Sequence, residues 1–413
     1  MKSEMKGIRS VSLRRAAIVL ILSLAARVLH AQDPMPARSA WSWSADANVF
    51  AGYNYQQRHF ADFSSWESQN WMMGMGERPL GDGRLIVSTM ISLEPFTIGK
   101  LVYGSGERIA AGGSPQLFQT GESYQRQPFV NYQHPHDLVM GLGATYRYVR
   151  PGTTFVFGAD VVGAPTLGPT PFMHRESARD NPQVPLTHHF MDSTHVSTGV
   201  VRAGIETHGW TIEGSTFRGA EPDENRTNIE RPRLDSWASR LSYRSGPWSA
   251  QFSGGLIHVP EWYEPYDHVR WTASIGFDGA VGGRALNATL GWGQSRAKVV
   301  TNGVSNGELL EWNLQALPAL ALYGRAEIAE KQLFGLGLHP KGFEHPHVYS
   351  HMDALTLGTV HDVVQTDRMR LGFGGDVTLY HMSPDLLQYY EGSHSYHLFV
   401  RWRVAPAAEH HHY

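Results

Sequence analysis

The chain reads as an all-β protein, a transmembrane antiparallel up-and-down β-barrel of about 16 strands within a range of roughly 14–18. Three observations predict it. Apolar and polar residues alternate with period two through most of the chain. The alternating segments are joined by connections that are short and long in turn. An export leader opens the chain, and no run of about 18 apolar residues follows it.

Residues 1–31 have the form of a secretory signal peptide. Lys2, Lys6, Arg9, Arg14 and Arg15 make a basic start, and Ala16 to Ala26 an apolar stretch. That stretch is too short to span a bilayer, which needs about 20 residues. Cleavage after Ala31 would leave residues 32–404 as the barrel and 405–413 as a histidine-containing tail.

Residues 41–55 show the alternation most plainly. Trp41, Trp43, Ala45, Ala47, Val49, Ala51, Tyr53 and Tyr55 share one face, and Ser42, Ser44, Asp46, Asn48 and Asn54 the other. An apolar band with aromatic ends is what a lipid-facing strand requires. A soluble strand alternates too, but is usually 5–6 residues long. Further strands are expected at 68–76, 84–93, 137–149, 153–162, 195–206, 208–218, 233–244, 248–258, 268–278, 283–294, 308–317, 320–330, 350–362, 367–380 and 393–404. In the segment 137–149, Met140 falls on the lipid face with Leu142 and Ala144. Connections after even-numbered strands are short, and most others long. Both termini therefore belong on the side of the short turns.

Composition fits this class and excludes others. The 413 residues include 43 glycines and no cysteine, with 11% aromatic and 18% charged. Disulfide scaffolds, cysteine-based zinc sites and thiol nucleophiles are ruled out. Disorder is ruled out by the aromatic content. A formal charge of -3 gives no footprint for nucleic acid. Location in a bacterial outer membrane is expected, in contact with lipid and lipopolysaccharide. Association as a trimer is open, since nothing in the sequence speaks for it.

The polar faces define the candidate lumen. They carry Arg147, Arg240, Arg270, Arg325, Arg370 and Arg401, with Glu213, Glu327 and Asp376. These residues could pair into a filled, structural interior. They could equally line an aqueous channel for small polar or ionic solutes, which a barrel of this size has room for. The Pro-rich segment 163–194 suits an ordered loop folded over the barrel mouth.

Histidines cluster in the connections. His134, His136 and Asp137 lie together, as do His188, His189, Asp192 and His195. Others are His339, His345, His347 and His351, and His410 to His412. Imidazole and carboxylate are ligands for Cu or Zn, so a metal-associated protein is the alternative to a plain channel without cofactor. Polar loops also carry histidine for ordinary reasons, and no strict metal spacing is present. Asp192, Ser193 and His195 are the residue types of a hydrolase, but triad members converge from separate segments, and there is no GxSxG. No enzymatic activity is expected.

The phrases NWMMGMGERPLGDGRL, QHPHDL, FMHRESARDNPQVPLTHHFMDSTH and EPDENRTNIERPRLDSWASRLSY are similar to those of an uncharacterised family of Gram-negative outer-membrane β-barrel proteins. The resemblance covers most of residues 66–330. It implies a porin-like barrel and an association with heavy-metal efflux loci, and it assigns no site residue.

Overall fold

The computed structural model describes residues 41–59, 61–102, 108–119, 123–124, 127–128, 130–261, 265–299, 303–338 and 348–404. The signal peptide, the tail 405–413 and His339, His345, His347 and His410 to His412 lie outside the described residues.

Every expected strand forms. In chain order they are β1 (Ser42–Arg58), β2 (Ala61–Glu67 with Asn70–Leu80), β3 (Gly83–Ile91), β4 (Val139–Arg150), β5 (Thr153–Gly163), β6 (Ser197–Thr207), β7 (Trp210–Phe217) and β8 (Ser236–Ser245). There follow β9 (Trp248–Ile257), β10 (His268–Val281), β11 (Arg284–Ala297), β12 (Val304–Leu317), β13 (Leu320–Gln332), β14 (Tyr349–Gln365), β15 (Met369–Met382) and β16 (His394–Val404). Each is antiparallel to its sequence neighbour. β1 also pairs with β16, Gly52 facing Phe399, so the sheet closes into a barrel with 16 strands when the two halves of β2 are counted as one.

Both halves of β2 pair with β1, which gives Glu67 and Asn70 partners at Gly52 and Val49. Between them the Asn70 amide turns to the carbonyl of Ser68 and the hydroxyl of Thr97. The chain thus leaves the ladder for two residues without losing register.

The short end of the barrel is built from tight hairpins. The Gly282-Gly283 turn has both φ angles positive, +59° and +75°, as a two-residue turn matched to strand twist requires. The other end carries the long connections.

Period two separates the faces. Outward positions are large and apolar: Trp210, Ile212, Leu241, Trp248, Phe252, Ile275, Leu290, Leu357, Phe373, Leu379 and Leu398 are all exposed. Many inward positions between them are polar and buried, among them Ser215, Ser253, Thr272, Glu311, Asn313, Thr378 and His397. Others are large and apolar where the interior packs on the wall: Phe50, Phe217, Ile257, Leu309, Tyr323 and Phe399. One residue leaves the face expected of it. Met140 was placed on the lipid face, but the ladder slips between Val139 and Gly141. The irregularity re-aims a side chain, as bulges do, and Met140 packs instead with Met90, Phe172 and Met173.

Candidate functional site

The interior is occupied by the connection between β5 and β6, residues 164–196. Five prolines interrupt this segment and limit its regular structure, and wall side chains bond part of its backbone. Thr166 N accepts no proton but donates one to Ser215 Oγ at 2.9 Å, and Gly168 N donates to Ser253 Oγ at 2.8 Å. Arg325 donates to the carbonyl of Gln183 at 2.8 Å and Lys331 to that of Leu186 at 2.8 Å. Thr187 donates from N and Oγ1 to Glu327 Oε1, both at 3.0 Å. The Asn48 amide donates to the carbonyl of Arg179 at 2.8 Å. The loop thereby meets β1, β7, β9 and β13 at once.

Ion pairs fix it further. Arg175 donates through Nε to Glu311 Oε1 at 2.6 Å and through Nη1 to Asp192 Oδ2 at 2.7 Å. Arg401 pairs with Asp180 of the loop and with Asp362 of β14. Apolar contact completes the seat. The helical turn His188–Met191 lies on β11 and β12, where Gly291, Gly293 and Gly307 leave room for Phe190 and Met191. A Cβ on Gly293 would lie 2.3 Å from the Phe190 carbonyl oxygen.

The nine charged lumen residues named from sequence all project inward, but into different surroundings. Arg270, Arg325, Arg401, Glu327 and Asp376 are buried, and Arg270 donates to Ser193 Oγ while Asp376 accepts from Tyr323. Arg370 pairs with the buried Asp362 at 3.4 Å, whereas Arg147 pairs with Glu206 at 2.5 Å and Arg240 with Glu213 at 2.9 Å, both partly exposed. Pairs this exposed contribute at most about 1 kcal/mol each.

Between the loop and the wall of β1 and β2 lies a narrow cavity of about 40 Å³. Eight amide side chains line it: Asn48, Asn54, Gln69, Asn70, Gln116, Gln133, Asn181 and Gln183, alongside Phe50, Trp71 and Phe172. Glu94 and Arg179 are its only acidic and basic residues apart from histidines. Asn48 Oδ1, Gln133 Oε1 and Asn181 Nδ2 are buried with no hydrogen-bond partner in the protein. Orphaned buried amides cost about 1–3 kcal/mol each.

Histidines of the two clusters named from sequence meet beside the loop, with ring centroids 5.4 Å apart for His136 and His195, 5.1 Å for His188 and His195, and 5.4 Å for His188 and His189. His188 Nδ1 lies 2.7 Å from Asp192 Oδ1, and His195 Nδ1 lies 2.7 Å from the Asp192 carbonyl. His136 bonds Glu94 at 2.9 Å, and Asp137 faces Arg226 at 3.4 Å. His134 is buried beside them, against the Pro135 carbonyl. The three residues named for a hydrolase make no relay: the Ser193 hydroxyl takes Arg270, and His195 turns to a main-chain carbonyl. His189 is different. Its Nδ1 stands 3.6 Å from Glu221 Oε1 and 3.6 Å from Glu261 Oε1. Neither glutamate was singled out in the sequence.

Burial sets the proton chemistry here. Loss of solvent, with His136 close by, pushes His174 down to about 4. A group lowered on folding stabilises the fold above its unfolded value near 6.5, and that contribution is lost as pH falls through 4. Burial raises Asp137 to about 6 against the pull of Arg226. Its contribution has the opposite sense, present below 3.8 and lost as pH rises through 6. Between pH 7 and 4 the two contributions oppose each other, so His174→Gln is expected to shift the pH dependence of the thermal midpoint towards greater relative stability at pH 4. A variant that keeps the wild-type slope would refute the assignment.

The fold is similar to that of an outer-membrane porin. Salmonella typhi OmpF, in a complex with daunomycin, aligns with a TM-score of 0.53 at 9% identity over 87% of this chain and 97% of that one. An anion-selective porin from Comamonas acidovorans aligns at 0.48, with 10% identity over 88% and 100%. The outer-membrane channel DcaP of Acinetobacter baumannii aligns at 0.47, with 11% identity over 90% and 100%. Likeness this distant is one of fold alone. No family model and no curated protein matches the chain.

Proposed function

We propose that this protein is an outer-membrane channel for passive diffusion of small polar solutes, with the inward loop as its constriction. The barrel's apolar exterior and polar interior support placement in the membrane. Solute class follows from one observation, the amide-lined cavity between loop and wall with three buried amide atoms lacking partners. Amides offer donor and acceptor together without net charge, which suits hydroxylated or amide-bearing solutes more than ions. Phe50, Trp71 and Phe172 add apolar faces to the lining, which a solute would reach only as the loop moves aside.

Reconstitution tests this. In liposome-swelling assays, uncharged small sugars are expected to enter faster than sugar acids of equal size. Asn48→Leu/Gln133→Leu is expected to narrow that preference at least threefold. A protein that neither conducts in planar bilayers nor admits any solute would overturn the channel reading.

A further inference from the structure

We propose that His189, Glu221 and Glu261 form a binding site for a divalent cation of the Zn²⁺ type, which ties the inward loop to the barrel rim. The three residues come from three separate connections: those between β5 and β6, β7 and β8, and β9 and β10. Their donor atoms all lie within 4.8 Å of one another.

The spacing carries the assignment. At 3.6 Å, His189 Nδ1 is too far from either carboxylate for a hydrogen bond, yet it faces both. Ligands about 2.0–2.2 Å from a tetrahedral metal stand roughly 3.3–3.6 Å from each other. The observed separations are those of co-ligands rather than of hydrogen-bonded partners.

Charge points the same way. Two largely buried carboxylates face one imidazole. Arg270 acts on both glutamates across a longer distance while its Nη1 donates to Ser193. A divalent ion held by the two carboxylates and the imidazole would place positive charge directly between them. Imidazole with carboxylate selects borderline divalent ions over soft Cu(I), which prefers sulfur. The loops are already in contact here, the Glu221 N–H donating to the Pro260 carbonyl at 3.0 Å. An ion would therefore bind between segments held in place before it arrives.

The test uses the full chain in detergent micelles, titrated with Zn²⁺ by calorimetry, with His410, His411 and His412 replaced by Ala throughout so that the tail adds no sites. One site of micromolar or tighter affinity is expected, with a rise in thermal midpoint as Zn²⁺ is added. Glu221→Gln/Glu261→Gln should weaken binding at least tenfold and abolish the thermal rise. His195→Ala, outside the proposed set, should leave both unchanged. X-ray absorption on the Zn²⁺-loaded protein that keeps both glutamates should show only N and O donors with one or two imidazoles. Absence of a micromolar site, undiminished affinity in the double variant, or a shell of three or more imidazoles would each overturn the proposal. The absorption measurement keeps the question decidable even where the double variant misfolds.

Discussion

Arg175→Met is expected to raise single-channel conductance at least twofold and to make the open level noisy. Its guanidinium is buried and holds the loop at two points, Asp192 within the loop and Glu311 on β12. Removing it leaves Asp192 with His188 as its remaining side-chain partner, and Glu311 with Arg325 and Ser177. Breaking a buried pair from one side costs about 3–5 kcal/mol, because a charge is stranded rather than because the pair was strong. The loop relieves that cost by moving into water, which opens the lumen. Arg175→Met/Glu311→Met removes the stranded wall charge as well, so it should recover part of the loss. Wild-type conductance in the single variant would mean that the loop is held by its other contacts alone.

Gly293→Leu is expected to unseat the turn His188–Met191 while leaving the barrel intact. The strand backbone accepts leucine here, since Gly293 has no left-handed φ. The space beside it does not. The new Cβ would meet the Phe190 carbonyl oxygen at 2.3 Å and carbon at 2.7 Å, and these are main-chain atoms that cannot swing aside. Phe190 would leave its contact with Leu309 and Met352, forfeiting about 1.5–3 kcal/mol of apolar burial. Gly291→Ala is the graded comparison, because its nearest neighbour is the flexible Met191 thioether at 3.1 Å. Faster proteolysis within residues 164–196 for Gly293→Leu than for Gly291→Ala is the expected readout. Equal rates would show that the glycines do not seat the loop.

The barrel was legible because its determinants are local. Alternation decides each strand, and a hairpin needs only its own turn, so all 16 strands were placed from sequence. The second was expected from 68, but its first half Ala61–Glu67 already pairs with β1, so the connection expected at 56–67 is a tight turn after Arg58. Met140 escaped because a bulge shifts parity without leaving a mark in the alternation. What fills the lumen was only half legible. Proline content marked residues 163–194 as ordered, but nothing local says that Arg175 meets Glu311, 136 residues away, or that Asp180 meets Arg401, 221 residues away. A signal did exist in the glycines at inward positions 291 and 293, since a wall without side chains implies something packed against it. Histidine clustering in sequence did not say which partner each ring would face. His188 and His189 are adjacent, yet a helical turn separates neighbours by about 100°. One therefore serves Asp192 inside the loop while the other faces Glu221 and Glu261 on other connections.

The loop's attachment points also impose an order of events on folding. Residues 164–196 emerge before two thirds of the walls that hold them. Glu311, Arg325, Asp362 and Arg401 all come later in the chain, and Arg401 lies on β16, the strand that meets β1. Contacts this distant in sequence make the search slow. The Asp180–Arg401 contact can form only when the last strand is in place, so the circle of strands closes around its own contents. The contact that anchors Asp180 is thus one with the strand that closes the barrel, so closure and full seating of the loop share a residue.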